Sequence, residues 1–166
     1  SKCNAIIQLA DSKKPKNMEL IKKHRNESEV ISLVVSSALV QMGEINEIKN
    51  LFIALVTSDD ETIVNTARNQ LRRLLIIKDT NVRIQFLKVV SAFILNNDGK
   101  NYEKSILRVI SVYVGIKTDQ YIGTVLLKKM ETTNLISVKK EIIKYFVKTY
   151  YSYQENLKNA IMKQLI

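Results

Sequence analysis

The sequence is short of the residues that interrupt helices and of those that build reactive centres. Its 166 residues include only 4 Gly and 1 Pro, whereas an all-β fold needs turn residues about every 8–12 positions. The single Cys excludes an internal disulfide framework and a multi-cysteine zinc site, and the single His excludes the common zinc-hydrolase ligand sets. These shortages favour an all-α protein with long, uninterrupted helices.

Motifs of the common enzyme classes are missing as well. The four glycines are isolated, so there is no phosphate-binding loop, and Gly-x-Ser-x-Gly, His-Glu-x-x-His and Cys-x-x-Cys do not occur. His24 lies in a run of basic residues, and the acidic cluster Asp59-Asp60-Glu61 suits the first turn of a helix better than a cation site. We therefore expect no catalytic residue, no cofactor and no metal, and a protein that is not an enzyme.

Positive charge is unevenly distributed along the chain. There are 26 Lys and Arg against 16 Asp and Glu, which gives a net charge of +10. Residues 1–61 carry 8 basic and 9 acidic side chains, whereas residues 62–166 carry 18 and 7. An asymmetry of this kind indicates a basic surface in the second part of the chain.

Membrane insertion is not expected. The longest weakly polar stretch, Ile31 to Val40, is shorter than the about 20 residues that a membrane-spanning helix needs. A cytoplasmic location is slightly favoured on this basis. The chain begins at Ser1 and not at a Met, which predicts a fragment of a larger protein.

Capping residues and apolar spacing divide the chain into short helices followed by longer ones. Residues 1–25 are predicted to be irregular or short-helical, and residues 26–166 to form a helical-repeat domain of about 7–8 main helices. Asn26 and Ser58 open capping boxes, and Gly43 fits the position just after a helix end. The main helices are expected at about 27–42, 45–56, 59–76, 80–96, 101–115, 119–132, 135–151 and 153–165.

A repeat links five of these helices. Apolar residues recur at positions i, i+4 and i+8, and the successive starts are 19, 20, 20 and 16 residues apart. One helix per about 20 residues gives a two-helix unit of about 40, which is the period of HEAT and armadillo repeats. The central positions of four of these helices, Phe86, Ile106, Leu126 and Ile142, are expected to be buried. The apolar triplets are Ile63/Ala67/Leu71, Val82/Phe86/Val90, Tyr102/Ile106/Ile110, Ile122/Leu126/Met130 and Val138/Ile142/Phe146.

The segment Asp79-Thr80-Asn81-Val82-Arg83 resembles the opening of the second helix in a HEAT repeat. The resemblance covers about residues 27–152 and implies a right-handed array of antiparallel helix pairs, as in a HEAT-like or armadillo-like solenoid. A tetratricopeptide-like array and a non-repeating bundle remain alternatives. Arrays of this kind expose large faces and typically bind other macromolecules, so the resemblance implies a scaffold or adaptor.

Four basic residues, Lys88, Arg108, Lys128 and Lys144, follow the first apolar position of their helix by six residues. At about 100° per residue they lie at about 240°, opposite the apolar stripe, and are expected to point outward with neighbours such as Lys129. Consecutive helices of a solenoid alternate between two faces, so Lys88 and Lys128 would share one face, and Arg108 and Lys144 the other. Either these residues only solubilise the protein, or they bind nucleic acid, acidic protein or anionic lipid.

Tyrosines are concentrated near the C-terminus, where they alternate with lysines. Tyr150, Tyr151 and Tyr153 are candidates for an interface, because Tyr is enriched at binding surfaces, whereas Tyr145 is expected to pack in the core. Gly123, inside a predicted helix, is expected to allow a close helix contact. The leading interpretation is a non-enzymatic scaffold or adaptor that binds another protein. The alternatives are a HEAT-like module that binds nucleic acid and a domain that associates with a membrane surface.

Overall fold

A computed structural model of the chain describes residues 1–77, 79–116 and 120–166. These residues form ten α-helices and three 3-10 helices and contain no strand, which confirms the all-α prediction. The α-helices are α1 Lys2–Asp11, α2 Asn17–Lys22, α3 Glu29–Gln41, α4 Ile48–Thr57, α5 Glu61–Ile76, α6 Thr80–Asn96, α7 Glu103–Val112, α8 Gln120–Thr132, α9 Ile136–Thr149 and α10 Glu155–Leu165; the 3-10 helices are Ile45–Glu47, Lys100–Tyr102 and Tyr150–Ser152.

The helix boundaries follow the capping chemistry, with small shifts from the expected positions. Ser28, and not Asn26, caps α3 by accepting a hydrogen bond from the Ile31 amide, and Asp60, and not Ser58, caps α5. The count of ten exceeds the seven to eight main helices expected, because residues 1–25 contribute α1 and α2. Residue 119, the predicted start of the helix before α9, lies outside the described residues.

The chain divides into two compact units, Ser1–Phe86 and Leu87–Ile166, and α6 crosses the boundary between them. In the first unit α3 is the central helix, in contact with α1, α2, α4 and α5. Every residue from Leu33 to Val40 is buried, as expected for a helix that is surrounded on all sides. Gly43 ends this helix at φ 109°, where the Gly43 and Glu44 amides donate to the carbonyls of Val40 and Leu39.

The two N-terminal helices contribute to the same core. Ile6 and Ala10 of α1 and Ile21 of α2 are buried in one cluster with residues of α3, among them Val35 and Leu39. Burying one aliphatic side chain contributes about 1.5–3 kcal/mol, so α1 and α2 are part of the folded first unit.

Charged side chains connect the helices of the first unit. The Arg25 guanidinium donates two hydrogen bonds to the Glu47 carboxylate, Nη2 to Oε1 at 2.8 Å and Nη1 to Oε2 at 3.2 Å. Ser36 and Asn50 also donate to Glu47 Oε2, at 3.0 and 2.7 Å. Partial burial pushes the pKa of Glu47 upward, but the hydrogen bonds from Arg25, Ser36 and Asn50 outweigh it and the pKa is lowered. This group joins the segment after α2 to α3, α4 and the 3-10 helix between them.

Arg73 makes a second connection. Its Nη1 donates to Gln41 Oε1 at 2.6 Å and its Nη2 to Ser37 Oγ at 2.7 Å. Gln41 Nε2 in turn donates to Asp11 Oδ1 at 2.5 Å. Burial lowers the pKa of Arg73, and the negative charge of Asp11 opposes that shift. The result is a polar chain from α5 through α3 to α1.

In the second unit α7 packs on α9, α9 on α8, and α8 on α10. The predicted core residues Ile106, Leu126 and Ile142 of this unit are buried, as is Phe86 at the end of the first. The other apolar triplet positions are buried too, except Tyr102. Tyr102 lies in the 3-10 helix before α7. The periodicity of α7 therefore does not determine which way its side chain points.

Candidate interaction surface

Three of the four basic residues predicted to point outward do so. Lys88 on α6, Lys128 on α8 and Lys144 on α9 are exposed, in agreement with their position opposite the apolar stripe. They lie on three different helices, so each belongs to a separate helix surface.

The outward prediction is wrong for Arg108, which is 8% exposed. Helix α7 also buries Ile106, Val109, Ile110 and Val112. At about 100° per residue, these positions and Arg108 span more than half of the circumference. The buried side of α7 is therefore wider than the side defined by its apolar triplet. It includes the position of Arg108, whose equivalents on α6, α8 and α9 are exposed.

Lys129, which was expected to add to the basic surface, is 2% exposed. Its Nζ donates to the Asn97 carbonyl at 2.6 Å and to Asp98 Oδ1 at 3.2 Å, and Thr133 Oγ1 donates to the same carboxylate at 2.7 Å. The hydrogen bond from Thr133, and then the bond and charge of Lys129, hold the pKa of Asp98 below its usual range against the effect of burial. Lys129 thus connects the segment after α6 to the end of α8.

The tyrosines near the C-terminus divide into buried and exposed groups. Tyr145 is buried as predicted, but Tyr153 is buried as well and cannot belong to an exposed interface. Its ring meets Phe146 edge to face, with centroids 6.1 Å apart. A Cβ at Gly123 would lie 2.7 Å from Tyr153 Cε1, so the glycine makes room for this ring. The same Cβ would lie 3.1 Å from Leu157 Cδ2 of α10, which confirms the predicted close helix contact at Gly123.

Tyr150 and Tyr151 remain near the surface, half-buried and 87% exposed respectively. Their rings pack edge to face, with centroids 5.3 Å apart and an interplanar angle of 83°. Lys158 Nζ of α10 lies 5.7 Å from the Tyr150 centroid and 5.9 Å from that of Tyr151, within the range of cation–π attraction. Tyr151 is thus exposed but supported from two sides.

One complete side of α9, followed by Tyr151, is exposed and carries large apolar residues. We call it the α9 outer face, and its apolar members the apolar stripe. Ile136 is 70% exposed, Ile143 37% and Val147 69%. Helix α9 buries its opposite side, which packs on α7 and α8. The apolar stripe consists of Ile136, Ile143, Val147 and Tyr151.

Three exposed lysines run beside the apolar stripe, and we call them the lysine row: Lys140, Lys144 and Lys148. Lys144 Nζ lies 3.0 Å from Glu141 Oε1, in a pair whose side chains are 70% and 39% exposed. Exposed pairs of this kind contribute little, so Lys144 can exchange Glu141 for another carboxylate at small cost. The α9 outer face therefore combines an apolar centre with a positive edge.

Sequence reasoning identified Tyr151 and Lys144 but missed the apolar stripe itself. Its signal was present, because Ile136, Ile143 and Val147 are spaced by 7 and 4 residues, which places them on one side of a helix. The buried triplet of α9 falls on the other side of the helix, so its periodicity does not point to them.

Residues 1–77, 79–116 and 120–166 contain no group of three or more His, Cys, Asp or Glu side chains that could hold a metal ion. Across the same described part of the chain, no helix combines the length and apolar character needed to cross a bilayer.

Comparisons with known proteins find no match: no family model matches the sequence, and no curated protein and no solved structure matches the chain.

Proposed function

We propose that this chain is a non-enzymatic docking domain, a scaffold or adaptor that binds another protein through the α9 outer face. The observation that carries the proposal is the alignment of the apolar stripe on one side of a helix whose other side is packed in the core. Single exposed apolar residues are normal on protein surfaces. Exposed apolar residues that are aligned on one side of a helix favour an interaction site, since covering them yields about 25 cal/mol per Å² of apolar area.

The proposal includes an array of helix pairs of the HEAT or armadillo kind. What supports it is the packing within each unit, where a helix contacts both the next helix and the next but one. In the first unit α3 contacts α4 and α5, and in the second unit α8 contacts α9 and α10. Stacked helix pairs have this pattern.

Binding of nucleic acid is less well supported. Phosphate contacts need a run of cations, but Lys88, Lys128 and Lys144 lie on three helices and Arg108 is buried. The three lysines that do share a helix flank aliphatic side chains, which have no counterpart in a phosphate backbone.

The test uses a photo-crosslinking aromatic residue in place of Tyr151 to capture the partner, followed by calorimetry with the purified partner. We expect the double variant Ile136→Ser and Val147→Ser to lose at least about tenfold in affinity, because it removes two exposed anchors. The matched control is Ile76→Ser, which removes an exposed isoleucine of α5 and should bind like the wild type.

Unchanged affinity of the double variant would refute the proposal. Binding of duplex DNA or RNA by the wild type at about 50 mM salt, abolished by reversing the lysine row, would favour the nucleic-acid alternative instead.

A further inference from the structure

The spacing of the apolar stripe indicates which type of secondary structure a partner would pack against it. At about 100° per residue, Ile136, Ile143 and Val147 lie at about 0°, 340° and 20°, so they form a straight row about 17 Å long. Rows spaced by 7 and 4 residues are the seams along which one helix packs against another. An extended strand repeats its side chains every second residue and matches this row poorly.

The lysine row indicates the charge that a partner of this face would carry. On the same scale Lys140, Lys144 and Lys148 lie at about 40°, 80° and 120°, all on one side of the stripe. On the opposite side Lys139, at about 300°, is half-buried, and Phe146, at about 280°, is buried in the core. The exposed positive charge is therefore concentrated on one side of the stripe, and so is the negative charge that would complement it.

We propose that the α9 outer face binds an acidic amphipathic helix of another protein. The apolar side of that helix covers the apolar stripe, and its Asp or Glu residues, spaced four apart, face the lysine row. This inference rests on the proposed docking function and names the partner of the same surface. Helices recognised in this way present apolar anchors at spacings of three, four and seven residues.

Tyr151 completes the surface as an anchor at the C-terminal end of the stripe. Because Tyr150 and Lys158 support its ring, less side-chain freedom is lost when a partner covers it. Tyrosine is among the residues that most often dominate binding energy.

Other occupants fit less well. In a second copy of this chain, α9 would bring its own lysine row and a single carboxylate, Glu141, which is already paired with Lys144. A flat anionic membrane would meet both sides of the stripe equally, whereas three exposed lysines lie on one side and only the half-buried Lys139 lies on the other. A one-sided acidic helix satisfies both the apolar and the charged part of the face.

The test measures fluorescence anisotropy with two designed helical peptides of about 18 residues. Both carry Leu at spacings that match the stripe; one has Glu every fourth residue beside the Leu row, and its twin has Lys there. We expect the acidic peptide to bind about tenfold tighter at about 0.1 M salt, because three exposed ion pairs each add a small factor. The difference should shrink at about 1 M salt, where screening is strong.

Two triple variants separate local from overall charge. Reversing Lys140, Lys144 and Lys148 to Glu should invert the preference toward the basic peptide. Reversing three exposed lysines elsewhere, Lys88, Lys104 and Lys128, changes the net charge equally and should leave the preference for the acidic peptide in place. The stripe variant Ile143→Ser and Val147→Ser should lose both peptides.

Several results would overturn the inference: equal binding of the two peptides, binding of neither, or a preference that both triple variants alter alike. Two more are stripe-dependent binding to vesicles with about 30% phosphatidylserine, and a dimer of the chain that the stripe variant abolishes. If the captured partner still depends on the stripe while peptide charge has no effect, this inference fails and the docking function stands. If that partner ignores the stripe, the docking function itself fails.

Discussion

The two units contain the same number of cations but use them differently. Residues 1–86 and 87–166 each carry 13 Lys and Arg, but they carry 10 and 6 Asp and Glu respectively. The higher positive charge of the second unit therefore comes from fewer acidic residues and not from more cations. Arg25 and Arg73 connect helices in the first unit, as Lys129 does in the second, but the second unit also carries the lysine row, which extends into solvent beside exposed apolar residues.

The comparison shows that net charge alone does not locate a binding surface. Lys129 and Arg108 count toward the charge of the second unit, but both are buried. Among the described residues, the lysine row on α9 is exposed, clustered and beside exposed apolar residues, and on these grounds we propose it as part of a partner site. Four experiments test this distinction and the contacts that hold each unit together.

The largest effect is expected from Arg108→Glu. A carboxylate at this buried position of α7 loses its hydration, so the free energy of unfolding should fall by about 3–5 kcal/mol. The control, Lys128→Glu at an exposed position of α8, should change it by no more than about 0.5 kcal/mol. Urea unfolding followed by circular dichroism measures both. Equal effects of the two reversals would contradict the division into buried and exposed cations.

Arg25→Met tests the connections of the first unit. Glu47 would keep its bonds from Ser36 and Asn50 but lose both from Arg25, at a cost of about 1.5–3 kcal/mol, since bonds to charged groups are the stronger ones. Adding Glu47→Leu removes the carboxylate left behind and should restore part of the loss. Hydrogen exchange should show weaker protection mainly in α2, α3 and α4. A double variant no more stable than Arg25→Met would argue against the coupling of this pair.

Gly123→Ala tests the close contact within the second unit. Alanine favours a helix over glycine by about 1 kcal/mol, but its Cβ would overlap the buried Tyr153 ring, and overpacking costs about 1–3 kcal/mol. The net loss should be about 1 kcal/mol. Tyr153→Leu alone should destabilise through the cavity it leaves. Gly123→Ala should then be neutral or stabilising in that background, and an unchanged cost there would show that Tyr153 is not the obstacle.

The smallest expected effect is on the loss of stability at acidic pH. Hydrogen bonds lower the folded-state pKa values of Glu47 in the first unit and Asp98 in the second. Unfolded carboxyl groups have pKa values of about 4, so the stabilisation is complete above about pH 5 and is lost as the pH falls through the lower folded-state values. Urea unfolding at about pH 6 and about pH 3 should show a shallower pH dependence for Glu47→Gln and for Asp98→Asn than for the wild type. If either variant keeps the pH dependence of the wild type, the carboxylate that it lacks does not contribute to the loss of stability in acid.

The sequence was sufficient for most of the helices. Their caps and apolar spacing depend on neighbouring residues, so the predicted ranges of α5, α6 and α8 differ from the structure by at most two residues. Fourteen of the fifteen triplet positions are buried for the same reason. The exception, Tyr102, shows that periodicity says where a helical position faces but not where the helix begins.

The candidate site was only partly predictable, because burial of a polar residue depends on which helices surround it. Helical spacing predicts the same outward orientation for Lys88 and Arg108. Arg108 is nevertheless buried, because α7 is covered over a wider part of its circumference than α6. Lys129 was predictable in principle, since it follows Ile122 by seven residues and falls at about 340°, beside the apolar position. Its partners Asp98 and Thr133 are more than 30 residues apart in sequence, so only the fold brings them together.

The contact between Gly123 and Tyr153 has an evolutionary consequence. Thirty residues separate these positions, but a side chain at 123 and a large ring at 153 cannot be accommodated together without movement of the ring. Substitutions at the two sites should therefore be accepted in a preferred order: a larger residue at 123 is tolerated better after a smaller residue has replaced Tyr153. Sequences that descend from the same ancestor should record that order as paired replacements, with a glycine retained wherever the aromatic ring is retained.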